Sequence, residues 1–191
     1  MARPKEFDRD AVLDRALEVF WARGYEGTSM SDLVDGLGIG RQSLYDTFGD
    51  KHALYLLALQ RYADSHGAPW HLLDEMPVRA GIRAMFVATI DYMLEAGDGR
   101  TCMMVNAAAE MAPRDAEVTR RFCAAQKDVE ERLYRRLVRA QATSEIGKHH
   151  DVRGLARYFS NTLNGLNITG KAISDRAHLT QIVDVALSIL G

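Results

Sequence analysis

The chain has 191 residues, of which 47% are hydrophobic and 26% charged, and its formal net charge is −2. That supplies enough apolar material for a full core in one domain or two small ones, and argues against a disordered chain. The near-neutral balance excludes attraction to polyanions by bulk charge alone.

Two cysteines, Cys102 and Cys123, are too few for a disulfide framework, so a reducing cytoplasm is the expected compartment. The first residues contain no apolar signal core, and no run approaches the roughly 20 apolar residues of a membrane span. Residues 1–7 read as a short arm with Arg3, Pro4 and Lys5, suited to follow a DNA groove or simply to fray. Asp8 predicts a helix cap, and the helix runs to Arg23 on a buried stripe of Val12, Leu13, Ala16, Leu17 and Phe20 before Gly24 stops it. This helix is read as a brace.

Residues 28–51 carry the most information. Ser29 with Asp32 predicts a capping box for a helix from Met30 to Gly36. Gly38 supplies the positive φ of a sharp turn, and Ile39 plugs the corner. A second helix follows from Arg41 to Phe48, with Leu44 and Phe48 on its inner side. Arg41, Gln42, Ser43, Tyr45 and Thr47 point elsewhere, and each can reach a phosphate or a base edge. One helix to brace and one to lie in a major groove make a helix-turn-helix. Over residues 1–51, however, seven Lys/Arg face ten Asp/Glu, so DNA binding here requires cations segregated onto one surface.

Asp50 can cap a helix from Lys51 to Ser65 that links this unit to the rest. Lys51 in its first turn opposes the helix dipole, which points to a phosphate partner, with a solvated lysine as the alternative. Gly67, Pro69 and Pro77 mark a boundary, with Trp70, Leu72, Leu73 and Met76 between them. Helices are then predicted over 79–95, 101–111, 115–142, 152–173 and 177–190. The expected fold is all-α: a three-helix DNA-binding unit over 1–51, a linking helix over 52–68, and a helical ligand-binding and dimerisation domain over 69–191. The last helix is apolar around more than half its circumference, which suggests burial against its own domain and a second subunit. Leu179 and Val183 are read as members of that interface. Asn161, Asn164 and Asn167 recur every three residues on the helix before it, either bonding across the interface or forming a wet seam.

The N-terminal run resembles the tetracycline-repressor (TetR) family of bacterial transcriptional regulators. The resemblance rests on Ala16, Phe20, Gly24-Tyr25, Thr28-Ser29, Asp32-Leu33, Gly38-Ile39, Ser43-Leu44-Tyr45, Phe48, Lys51 and Leu54, over roughly residues 7–56. It implies a homodimer reading a near-palindromic double-stranded operator, paired through its last two helices, from Val152 to Ile173 and from Ala177 to Leu190. It also implies an inducer pocket for a small molecule in the C-terminal domain. By position, Thr28, Ser29 and Lys51 are expected on phosphates, Arg41, Gln42 and Ser43 on bases, and Tyr45 and Thr47 on a phosphate or a thymine methyl. Two residues depart from the family pattern: Gly40 replaces a serine cap, and Asp46 replaces a neutral or basic residue, which disfavours phosphate contact there.

Arg41 can fork onto guanine O6 and N7, and Gln42 onto adenine N6 and N7, each good pair giving about 1–3 kcal/mol of discrimination. Candidate pocket residues are Phe86, Ile90, Met93, Met103, Asn106 and Phe122, with Trp70 at the rim; ordinary core packing is the competing reading. Cys102 is read as packing, with redox sensing the alternative. His149-His150-Asp151 is a poor chelate, so no metal or cofactor is expected. No nucleophile elbow, phosphate loop or zinc motif suggests an enzyme. The leading expectation is a ligand-responsive repressor; an activator or a ligand-independent DNA binder on the same scaffold is the alternative.

Overall fold

Five of the helices begin where an aspartate side chain takes up otherwise unpaired N–H groups, and this explains most of the chain's segmentation. In a computed structural model, which describes residues 7–191, Asp8 caps α1 (Arg9–Arg23) and Asp50 caps α4 (Lys51–Ser65). Asp115 caps α8 (Ala116–Ala142), Asp151 caps α9 (Val152–Gly170) and Asp175 caps α10 (Arg176–Leu187). Between them lie α2 (Met30–Leu37), α3 (Arg41–Phe48), α5 (Trp70–Glu75), α6 (Val78–Ala96) and α7 (Met103–Met111). A 3-10 turn, Ser188–Leu190, ends the chain, and no strand occurs among the described residues. The arm residues Arg3 and Lys5 lie outside the described residues.

Two differences from expectation have physical reasons. The segment between Pro69 and Pro77 holds a helix, α5, although no side chain caps it. Its support is tertiary: Leu73 is buried, and α6 comes so close that a Cβ on Gly81 would fall 2.9 Å from the Leu72 carbonyl oxygen. At the other end α9 stops at Gly170, three residues before Ile173, and the last residues of the chain tighten into the 3-10 turn.

The side chains form two cores. One joins α5, α6, α9 and α10 with the C-terminal half of α8, around Phe86, Met85, Ile90, Leu137, Phe159 and Leu179. The other joins α1 to α4 around Phe20, Leu33, Leu44, Leu54 and Tyr55, and it also takes in Met103, Ala107 and Met111 of α7 and Val118 of α8. The divisions expected near residues 51 and 68 therefore do not coincide with the cores: α4 belongs fully to the N-terminal core, and α7 is shared into it.

Candidate nucleic-acid interface

The α2–α3 unit is fixed by local chemistry at each corner. Ser29 Oγ accepts the Asp32 N–H at 3.1 Å, and Asp32 Oδ2 accepts the Ser29 N–H at 2.8 Å, closing the capping box. The Ser29 hydroxyl, which donates to Asp32 Oδ2 at 2.6 Å, and then the Ser29 N–H, with Arg23 adding its guanidinium, hold the Asp32 carboxyl below its ordinary value. Leu33 and Leu37 bury α2 against α1, and Gly38 adopts φ 65° and ψ 28°. Ile39 fills the corner, as its spacing predicts. In α3, Leu44 and Phe48 are buried, which fixes the roll of the helix. Arg41, Gln42, Tyr45 and Asp46 are all exposed and form one outward face. No side chain caps α3 at Gly40, so its first N–H groups keep no side-chain acceptor and are available to an anion.

Two cations are held on aromatic faces within this unit. The Lys51 Nζ lies 4.2 Å from the centroid of the Tyr25 ring, and the Arg9 guanidinium lies 5.3 Å from that of Phe48. Burial, assisted by the charges of Asp50, Glu26 and Asp115, raises the Tyr25 phenol, so the ring stays neutral beneath Lys51. Arg9 escaped the sequence reading. Its only signal is its place just after the Asp8 cap, which turns it toward the end of α3.

The expected acidic excess is largely consumed elsewhere. Asp8, Asp32 and Asp50 serve as caps. Asp14 binds Arg61 through two hydrogen bonds, Asp10 lies within reach of the same arginine, and Glu18 pairs with Arg100. On the outward face of α3, Asp46 accepts a hydrogen bond from Gln42 Nε2 at 2.8 Å.

Several of the residues expected on DNA are engaged within the fold. Thr28 is completely buried and its hydroxyl donates to the Gly24 carbonyl at 2.7 Å, so its side chain braces the α1–α2 turn and cannot meet a phosphate. Thr47 is half-buried, and its hydroxyl oxygen is shielded without a partner among the described residues. Ser29 is exposed, although its hydroxyl is already engaged by the cap; Ser43 is half-buried.

The candidate pocket residues are not brought together. Phe86, Ile90 and Met93 pack in the C-terminal core, whereas Met103 packs in the N-terminal core. Phe122 and Asn106 are half-buried, and Asn106 bonds Thr101 and Lys171. Trp70 lies half-buried beneath the Arg132 guanidinium, at 5.4 Å.

On α10, one of the two helices expected to pair, Leu179 and Val183 are wholly buried within the chain itself, so their side chains are not presented to a second subunit. The outward residues are Tyr158, Ile168, Val185 and Ile189, each at least 41% exposed and Val185 68%. They accompany an open groove of about 490 Å³ between α9 and α10, lined by Asn161, Gly165, His178, Gln181 and Ile182 among others. Asn164 turns inward to Gln126, and Asn167 accepts the Cys102 N–H, so neither lies on that outer face.

A set of contacts missed by sequence reasoning ties the N-terminal unit to α7 and its approach. Glu110 accepts the N–H of Tyr25 at 3.0 Å and of Glu26 at 2.7 Å. The Trp21 indole N–H donates to the Thr101 carbonyl at 2.6 Å, and His52 meets Asp115 at 2.5 Å. Each pair is more than 60 residues apart in sequence, and no periodicity announces it.

With this geometry in place, similarity to known proteins is informative. Residues 12–58 match the family described as bacterial regulatory proteins, tetR family. Residues 79–186 match the family described as tetracyclin repressor-like, C-terminal domain. The uncharacterized HTH-type transcriptional regulator YezE of Bacillus subtilis is 39% identical, with both chains covered completely. The HTH-type transcriptional repressor ComR of Escherichia coli is 30% identical over 98% of this chain and 90% of its own. Among solved structures, a cysteine-substituted form of the TetR-family regulator CifR complexed with 26-bp operator DNA superposes with a TM-score of 0.85 at 31% identity, covering both chains completely.

Proposed function

The chain belongs to the TetR family of bacterial regulatory proteins and is a transcriptional regulator, and on that premise we propose that it is a dimeric repressor whose α3 helices read a palindromic operator and whose C-terminal half binds a releasing small molecule. The observation that carries this reading is the outward face of α3. Leu44 and Phe48 anchor the helix, and Arg41, Gln42 and Tyr45 project together beside an uncapped N-terminus that suits a phosphate. Arg41 has the fork to bind guanine, and Arg9 and Lys51 are held near the helix for backbone contacts. Repression, rather than activation, is favoured by the name of ComR.

The apolar exposure of Tyr158, Ile168 and Val185 supports pairing through α9 and α10. A two-fold dimer sets two α3 helices at one spacing, which must be about 34–36 Å, or a multiple, to meet successive major-groove faces. The inducer site is proposed among α7, α8 and α9, where the half-buried Phe122 stands one helical turn before Gln126, which bonds Ser160 and Asn164. A ligand there acts by preferring one conformer of the dimer. The Glu110, Trp21 and His52 contacts give displacement of α7 or α8 a direct route to α1, α2 and α4.

The test is a salt-dependent binding series. Arg41→Ala is expected to weaken operator binding more than binding to random duplex, whereas Lys51→Ala weakens both alike and lowers the salt slope by about one. Equal losses on both duplexes for Arg41→Ala would remove it from the readers.

A further inference from the structure

A helix that faces DNA gains nothing from a bare negative charge, yet α3 carries exposed Asp46 one turn after exposed Gln42. The two are joined: Gln42 Nε2 lies 2.8 Å from Asp46 Oδ1. An ionised carboxylate only accepts hydrogen bonds, so the amide must turn its NH2 toward Asp46 and its carbonyl oxygen away. A glutamine free to rotate about its last bond can exchange these roles and serve acceptor or donor base edges alike. Gln42, tied to Asp46, cannot make that exchange.

We propose that Asp46 is a positioning residue that fixes the Gln42 amide with its carbonyl oxygen outward beside one free N–H, so that the regulator selects an amino base, adenine or cytosine, over a keto base at the position Gln42 faces. In the major groove, adenine N6 and cytosine N4 present donors, whereas guanine O6 and N7 and thymine O4 present acceptors apart from the thymine methyl. The Gln42 carbonyl oxygen meets a donor on either amino base. A keto base brings its oxygen against that carbonyl and against the nearby Asp46 carboxylate. The second amide hydrogen lies beside the carbonyl oxygen on the outward edge, so adenine takes both through N7 and N6, whereas guanine, with N7 on that hydrogen, brings O6 against the carbonyl oxygen. The aspartate therefore exchanges some general DNA affinity for discrimination. This inference rests on the reading that α3 lies in the major groove.

The experiment measures binding of the purified dimer to its selected operator and to every single-base variant of one half-site. Wild type is expected to favour adenine or cytosine at one position by roughly five- to tenfold, the yield of one hydrogen bond. Gln42→Ala is expected to flatten that same position. Asp46→Ala is expected to reduce its amino-over-keto preference to about twofold or less while tightening binding to all duplexes. Asp46→Asn, which keeps an acceptor for the amide, is expected to retain more of the preference than Asp46→Ala. Both residues are exposed, and unchanged helicity and dimer mass verify folding. A uniform gain in affinity for Asp46→Ala with an unchanged base profile overturns the inference, as does a wild-type preference for guanine or thymine at the Gln42 position. If Arg41→Ala and Gln42→Ala both leave every position unchanged, the major-groove reading itself fails.

Discussion

Removing the Glu110 carboxylate tests how the N-terminal unit is fastened to the rest. Its two oxygens accept the Tyr25 and Glu26 N–H groups at 3.0 and 2.7 Å, at the turn between α1 and α2. Gly24 lies against the same carboxylate, and a Cβ there would fall 2.9 Å from Glu110 Oε2. A hydrogen bond to a charged group contributes about 1.5–3 kcal/mol. Glu26 is exposed, so water replaces much of its bond in a Glu110→Ala variant. The net loss is then about one bond, roughly 1.5–3 kcal/mol, or a fall in Tm of about 3–12 °C for a chain of this size. Amide hydrogen exchange resolved at residues 25 and 26 gives the local readout. These two amides are expected to exchange about 10- to 150-fold faster in the variant if local opening governs them, while amides in α9 and α10 change far less. Wild-type exchange at both amides together with an unchanged Tm would refute the clamp.

Other perturbations probe separate parts of the molecule. Leu44→Ala removes a wholly buried side chain that sets the roll of α3, and is expected to cost about 2–5 kcal/mol in denaturant titration and to abolish operator binding. Val185→Glu places a charge on a residue 68% exposed in the subunit, and is expected to halve the sedimenting mass without loss of helicity; an unchanged dimer mass would place the interface elsewhere. Hydrogen bonds from Arg136, the Val78 N–H and Thr143 hold the Glu145 carboxyl below its ordinary value of 4.5. Because the folded value is the lower one, its contribution is present above about 4.5 and is lost as pH falls through the folded value. Glu145→Gln is therefore expected to flatten the acid limb of stability against pH, with a denaturation series below pH 5 as the check.

Much of the N-terminal unit was legible because its ends are written in local chemistry. Asp8, Ser29 with Asp32, Gly38 and Asp50 each act within four residues of themselves. The six residues of α5 had no such signal, since their helix depends on close approach to α6 at Gly81. Thr28 looked like a neighbour of Ser29 on the surface, but its acceptor, the Gly24 carbonyl, reaches it only through the turn. Spacing alone leaves the three asparagines of α9 open between an interface and a wet seam. Residues three apart rotate about 60° around a helix, so Asn161, Asn164 and Asn167 span about 120°. Asn161 is consequently exposed, Asn164 half-buried and Asn167 buried. Apolar spacing gave the helix faces but not their partners: Met103 and Phe86 have similar patterns and enter different cores. The Gln42–Asp46 pair has the four-residue spacing of side chains that meet on a helix, yet its meaning emerged only once both were found exposed on the α3 face.

The central claim is that two α3 helices, fixed by one dimer, read two halves of an operator. Selection of bound fragments from a genomic DNA pool by the purified protein tests it most directly. Enrichment of one inverted repeat with half-site centres about 10–10.5 bp, or a multiple, apart is the expected result. Absence of any enriched sequence, or enrichment of single half-sites without fixed spacing, would contradict it.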